Sequence, residues 1–198
     1  MDDATQTTVK QALALAQSGK FEDSIDLLYS VSKRECEYDI IFVLIGEIHL
    51  MNNDPKRAIR PLEIALELNQ DNYRTHFLLG NAYGRILRFE DAIEELVIAD
   101  EMNPNDDEII RHLGWIHCMA GHLEDGRRFL KKAMRINPKN SLIYNDMAAS
   151  FMFTIHRDLK KAETWLRKAL SIEPKHPFIN QTYQAFVAMK ENLKEISR

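Results

Sequence analysis

Cysteine, glycine and proline are scarce in this chain, with two, seven and six among 198 residues. The two cysteines, Cys36 and Cys118, stand far apart and complete no metal or redox motif. A small secreted domain stapled by disulfides is therefore excluded, and a reducing, cytoplasmic setting is expected. So little glycine and proline leaves no stretch for a long flexible linker. The longest purely apolar run, Ile40 to Ile45, falls far short of the roughly 20 residues that span a bilayer. No transmembrane segment is expected, which leaves peripheral contact with a membrane surface open. The acidic, polar start Met1-Asp2-Asp3-Ala4 is unlike a secretory or mitochondrial leader. There is no glycine-rich phosphate loop and no nucleophile elbow, so neither an enzyme nor a bound cofactor is expected.

What the chain does have is a period. Ala12, Gly46, Gly80, Gly114 and Ala148 stand 34 residues apart. Val31, Ala65, Ala99 and Ala133 keep the same interval, and Ala169 follows after a slip of two. Large apolar residues recur between them at three- and four-residue steps, the pattern of an amphipathic helix. Gly19 and Gly121 read as helix ends, and Asp54-Pro55 reads as an N-cap followed by proline at the first helical position. Asn103-Pro104, Asn137-Pro138 and Glu173-Pro174 break the chain between units, where the earlier copies have Cys36 and Gln70. Pro61 falls inside a helical stretch, where it is expected to kink or loosen the helix. A fixed period of this length means a solenoid built from one supersecondary unit.

The residues at these positions resemble the tetratricopeptide repeat. The copy from Tyr73 to Asp106 matches best, with His76, Leu79, Gly80, Tyr83, Ala92, Leu96, Ala99 and Pro104. The next copy has Ile110, Leu113, Gly114, His117, Gly126, Leu130, Ala133 and Pro138. The copy before has Phe42, Ile45, Gly46, His49, Ala58, Leu62 and Ala65. The resemblance implies an all-α, right-handed α-solenoid of five helix-turn-helix repeats over residues 5–38, 39–72, 73–106, 107–140 and 141–176. The fifth carries two extra residues near the turn His156–Leu159, and a capping helix over 177–197 closes a single array spanning 1–198.

The resemblance also implies a concave groove lined by fixed positions of each first helix, with a hydrophobic or amphipathic protein or peptide segment as its ligand. The second repeat contributes Val43, Leu44, Glu47 and Met51. The third contributes Arg74, Phe77, Leu78, Asn81, Gly84 and Arg85. The fourth contributes Arg111, His112, Trp115 and Met119, and the fifth Asn145, Met152 and Phe153. Phe77 and Trp115 are the expected aromatic anchors, and the methionines suit a surface that adapts to its ligand. The carboxylate clamp of some family members is not supported: its lysine position reads Val9, Val43 or Phe77. A metal is not expected in the stretch His112 to His122 either. His117 and Cys118 point about 100° apart on a helix, and the step from His112 to Cys118 does not share a face.

Charge divides along the chain. Residues 1–120 carry 11 Lys/Arg against 22 Asp/Glu, and residues 121–198 carry 15 against 8. Arg127, Arg128, Lys131, Lys132 and Arg135 form one broad helical face, and Arg167 and Lys168 repeat part of it one copy later. A basic ridge on the convex side follows, with an acidic counterpart at Glu90, Asp91, Glu94 and Glu95. Opposed faces of this kind suit head-to-tail association, so a homo-oligomer is the second expected state. The ridge lacks interleaved aromatics and the net charge is −4, so nucleic acid is not an expected partner.

Overall fold

A computed structural model describes residues 2–32, 38–153 and 157–196, the last three without their side chains. Cys36 and His156 lie outside the described residues. The chain forms two compact units, Met1–Pro104 and Asn105–Arg198. The first holds three antiparallel helix pairs: α1 Asp3–Gln17 with α2 Phe21–Ser32, α3 Asp39–Met51 with α4 Pro55–Leu68, and α5 Tyr73–Arg85 with α6 Phe89–Met102. The second holds two such pairs and one more helix: α7 Asp107–Met119 with α8 Leu123–Ile136, α9 Ser141–Met152 with α10 Leu159–Ile172, and α11 Pro177–Ile196. Among the described residues there is no strand, and no helix is long and apolar enough to cross a membrane.

Helix starts are set by short acceptor side chains. Asp2 accepts from the Thr5 N–H, Asn72 from Arg74, Asp106 from Glu108 and Ile109, Asn140 from Leu142, and Asp158 from Lys161. Each supplies an acceptor that the first turn lacks. Between the two helices of successive pairs the backbone turns through a left-handed residue: Gly19, Asn53, Leu87 and Gly121, again 34 apart. Glycine and asparagine adopt that geometry readily, whereas leucine does not. Helix α4 runs as one span through the buried Pro61, where the missing N–H leaves the Arg57 carbonyl without its intrahelical donor.

Within each pair the helices meet at the small residues of the 34-residue series. A Cβ on Gly46 would stand 2.5 Å from Leu62 Cγ, and one on Gly80 would stand 2.6 Å from Leu96 Cγ. Leu28, Leu62, Leu96, Leu130 and Leu166 are fully buried in this seam, flanked by Ala58, Ala92 and Ala162. In the α7–α8 pair Gly126 replaces that alanine, because the Cys118 sulfur already fills the space a methyl would take. In the first pair Ser24 takes the same place and satisfies its hydroxyl by donating to the Ala12 carbonyl at 2.6 Å. The last helix, α11, lies on α9 and α10, burying Ile179 and Phe186. Lys190 on α11 donates to Glu163 on α10 at 2.7 Å.

Several imidazoles are held neutral by their surroundings. His49 is buried beside α4, and burial lowers its pKa. His117 stacks on Phe129 with ring centroids 5.2 Å apart, and burial lowers its pKa too. His112 donates from Nδ1 to the Glu108 carbonyl at 2.8 Å; burial and then the neighbouring Arg111 push its pKa down to about 4.

Three outcomes follow for stability. Replacing the 67% exposed Leu87 by glycine removes the left-handed strain of a β-carbon and loses no packing. Urea denaturation of Leu87→Gly should show a gain of about 0.5–1 kcal/mol after the entropy cost of glycine is subtracted. Gly80→Ala forces a methyl into Leu96 and should cost about 1–3 kcal/mol in the same assay. The lowered histidine pKa values favour the unfolded chain in acid. Their stabilising effect is complete above the unfolded-state value of about 6.5 and is lost as pH falls below it. The urea midpoint should therefore fall between about pH 6.5 and 4.5, and His112→Gln should flatten that slope.

Candidate protein-binding surface

In the second unit the first helices α7 and α9 lie side by side, and their contact face is divided into a polar and an apolar part. Arg111 reaches across to Asp146 at 2.6 Å and back to Glu108 at 2.9 Å. Burial pushes the Asp146 carboxyl above its ordinary range even with that guanidinium beside it. Asn145, next to it, is buried as well. Arg111 is thus a bridge between neighbouring repeats and is not a hand held out to a ligand.

One helical turn further on, the same face becomes apolar. Trp115 and Met119 on α7, Ala149 and Phe153 on α9, and Leu123 at the start of α8 surround a pocket of about 130 Å³. Cys118 and Ser150 complete its walls. Phe153 is 60% exposed and Met119 43% exposed, while Trp115 is half-buried between them. Phe153 is left in the open because α9 ends there: its N–H donates to Ala149, and Asp158 N–H donates to the Phe151 carbonyl. The thiol of Cys118 is pushed up to about 11 by burial, so at neutral pH it lines the pocket as a small apolar group.

The corresponding face of the first unit is built from α3 and α5. Leu44, Phe77, Asn81 and Gly84 are half-buried, and Met51 is exposed. Its charged members serve the chain itself. Arg74 pairs with Glu47 at 2.6 Å. Arg85 donates to the Leu50 carbonyl at 2.8 Å and to Asn53 Oδ1 at 2.5 Å, closing the end of α3.

Four residues carried over from the family's groove positions belong to the core. Val43 and Met152 are fully buried, and Leu78 and Asn145 nearly so. The cause is close packing of neighbouring first helices, α3 against α5 in one unit and α9 between α7 and α11 in the other. His112, also expected to face a ligand, is turned inward onto its own helix backbone.

The basic ridge is narrower than the sequence implies. Arg127 is half-buried and stacks on Phe151 at 3.8 Å while donating to the Ser150 carbonyl at 2.7 Å. It occupies the position that Ile25, Ile59 and Ile93 fill in earlier repeats, and it caps the end of α9. Arg128 pairs with Asp125 and Arg167 with Glu163. Lys132 is half-buried, and Lys168 lies 6.0 Å from the Tyr144 ring. Lys131 and Arg135 stand exposed on α8.

Reading the repeat positions alone misses the part played by second helices. Leu123 opens α8 as Phe89 opens α6, and that correspondence was available in the 34-residue spacing. A second hollow, between α4 and α6, is lined by Glu63, Glu67, Asp71 and Glu95, with the four-residue steps from Glu63 to Glu67 to Asp71 as the only sequence signal. Among the described residues no three His, Cys, Asp or Glu side chains converge as a metal site.

No family model matches the chain. Tetratricopeptide repeat protein 21B of Homo sapiens is 27% identical over 168 residues, which are 85% of this chain and 12% of that protein. The chain spans a third or less of the length of the curated relatives it matches. The crystal structure of TTC0263, a thermophilic TPR protein of Thermus thermophilus, aligns with a TM-score of 0.76 at 16% identity, over 93% of this chain and 99% of that one. That of YrrB, a TPR protein with an unusual peptide-binding site, aligns with a TM-score of 0.67 at 19% identity, over 89% and 90%. The paired helices, the 34-residue period of small and large apolar residues and the likeness to these repeat proteins show a tetratricopeptide-repeat fold in this chain.

Proposed function

We propose that the chain is a non-enzymatic interaction scaffold that holds a hydrophobic or amphipathic protein segment on its first-helix faces. The observation that supports this reading best is the pocket formed by Trp115, Met119 and Phe153. Three large apolar side chains converge there around an unfilled space, two of them well exposed. Exposed apolar surface that converges on a pocket marks an interaction site more often than a solvated face. A bulky side chain of the ligand enters this pocket and is gripped by rigid aromatic edges and a flexible thioether. Leu44, Phe77 and Met51 offer a second apolar contact in the first unit. The peptide-binding site named for YrrB is consistent with such a use of this fold.

Because Arg74, Arg85 and Arg111 are engaged by the chain's own acceptors, the ligand is selected by apolar side chains and not by a terminal carboxylate. Peptides selected from a random displayed library on the immobilised chain should be rich in Leu, Phe and Met. The variant Trp115→Ala/Phe153→Ala, with unchanged helicity, should bind them at least about 30-fold more weakly, since one aromatic hot spot is worth about 2 kcal/mol. Equal affinity in the folded variant would remove this pocket from the binding surface.

A further inference from the structure

The hollow between α4 and α6 is an amphipathic receptor with a charge of one sign. It measures about 680 Å³, and its walls carry Glu63, Glu67, Asp71 and Glu95. Its apolar floor is Leu66, Leu79, Tyr83 and Met102. Arg60 is the one guanidinium at its edge, and it is shared between Glu63 at 3.3 Å and Glu67 at 3.1 Å. Glu95 is partnered by His76 at 2.7 Å. The carboxylates thus outnumber the fixed cations, while the floor offers apolar contact to an alkyl stem. Such a combination suits Lys or Arg, whose stem is apolar and whose head is charged.

The second helices of the other unit carry the opposite sign at the same repeat positions. Glu63 corresponds to Lys131 and Glu67 to Arg135, each 68 residues on. One repeat nearer, Glu94 corresponds to Arg128 and Glu101 to Arg135. Among the described residues neither Lys131 nor Arg135 forms a hydrogen bond or ion pair, and both are exposed. Over whole units the contrast persists, with 10 Lys/Arg against 19 Asp/Glu in residues 1–104 and 16 against 11 in residues 105–198.

We infer that the acidic hollow between α4 and α6 is the docking site for the α8 face of a second copy of this chain, with Lys131 and Arg135 entering it. The occupant is a second copy because every molecule carries both members of the complementary pair in equal amount. One member is an unfilled acidic hollow, and the other is a pair of cations with no partner. The contact is heterologous: the donor face and the receptor hollow are different surfaces, so each copy offers both and assembly proceeds head to tail. It uses the hollow and the α8 face and leaves the pocket of Trp115 and Phe153 free for its ligand. Complementary potentials of this kind act on encounter and register and are screened by salt.

Sedimentation velocity of the full chain tests this. At about 50 mM salt the chain should associate with rising concentration, and at about 500 mM, where the screening length falls below about 5 Å, it should be at least tenfold weaker. Two variants, Lys131→Glu/Arg135→Glu and Glu63→Lys/Glu67→Lys, should each be monomeric with unchanged circular dichroism, because like charges then face each other. Mixed in equal amounts they should associate again, since each supplies the complement the other lost. A chain that is monomeric at low salt overturns the proposal. So does association that survives in the first variant, or a mixture of two folded variants that stays monomeric.

Discussion

The contact on which everything else rests is the near-touching of two helices at a residue without a side chain. At Gly46, Gly80 and Gly114 the backbone of a first helix is pressed against a buried leucine of its second helix. A methyl at any of the three would press into that leucine, and Leu62, Leu96 and Leu130 are completely buried. Once a pair is locked at this distance, its outward faces are fixed in direction. One face must pack on the next pair, and what remains is surface. The period of 34 is therefore the spacing at which this contact recurs.

That geometry also sorts the charged residues. Along the first-helix faces Arg74, Arg85 and Arg111 each tie one repeat to the one before or after it. The polar positions are spent on holding neighbours together, so recognition falls to the apolar residues left over. Phe153 and Met119 are exposed because α9 and α7 end beside them and no further turn covers them. The binding surface follows from where helices stop as much as from which residues they carry.

Much of this was legible from the residues. The helix pairs, their small-residue seams and the capping helix follow from a period, an amphipathic pattern and a few caps. Trp115 and Phe77 stood out as large aromatics at the groove positions that the resemblance implies. Other features were not legible. Val43 and Met152 sit at positions that face solvent in an ideal array, and only the closeness of adjacent first helices buries them. Arg127 reads as one more member of a basic face. Its actual work, capping α9 and covering Phe151, shows only once the end of α9 is placed beside α8. Leu87 gave no signal of its own, since a left-handed leucine is visible only through its 34-residue kinship with Gly19, Asn53 and Gly121.

The asparagines between repeats carry a consequence of another order. Asn72 accepts from the Arg74 N–H as the N-cap of α5 while its amide donates to Asp39, the first residue of α3. Asn140 does the same for α9 and Asp107, with Asn137 donating alongside. One side chain thus starts a helix and fastens it to the helix two places earlier. A first turn that frays lets go of its neighbour in the same motion, and a neighbour that loosens removes the cap. Melting of one repeat is thereby transmitted to the next through these amides, beside the arginine links already described. In a chain whose contacts are otherwise only between neighbours, this coupling sets how many repeats open together, and hence how long a stretch of backbone a protease meets at one time.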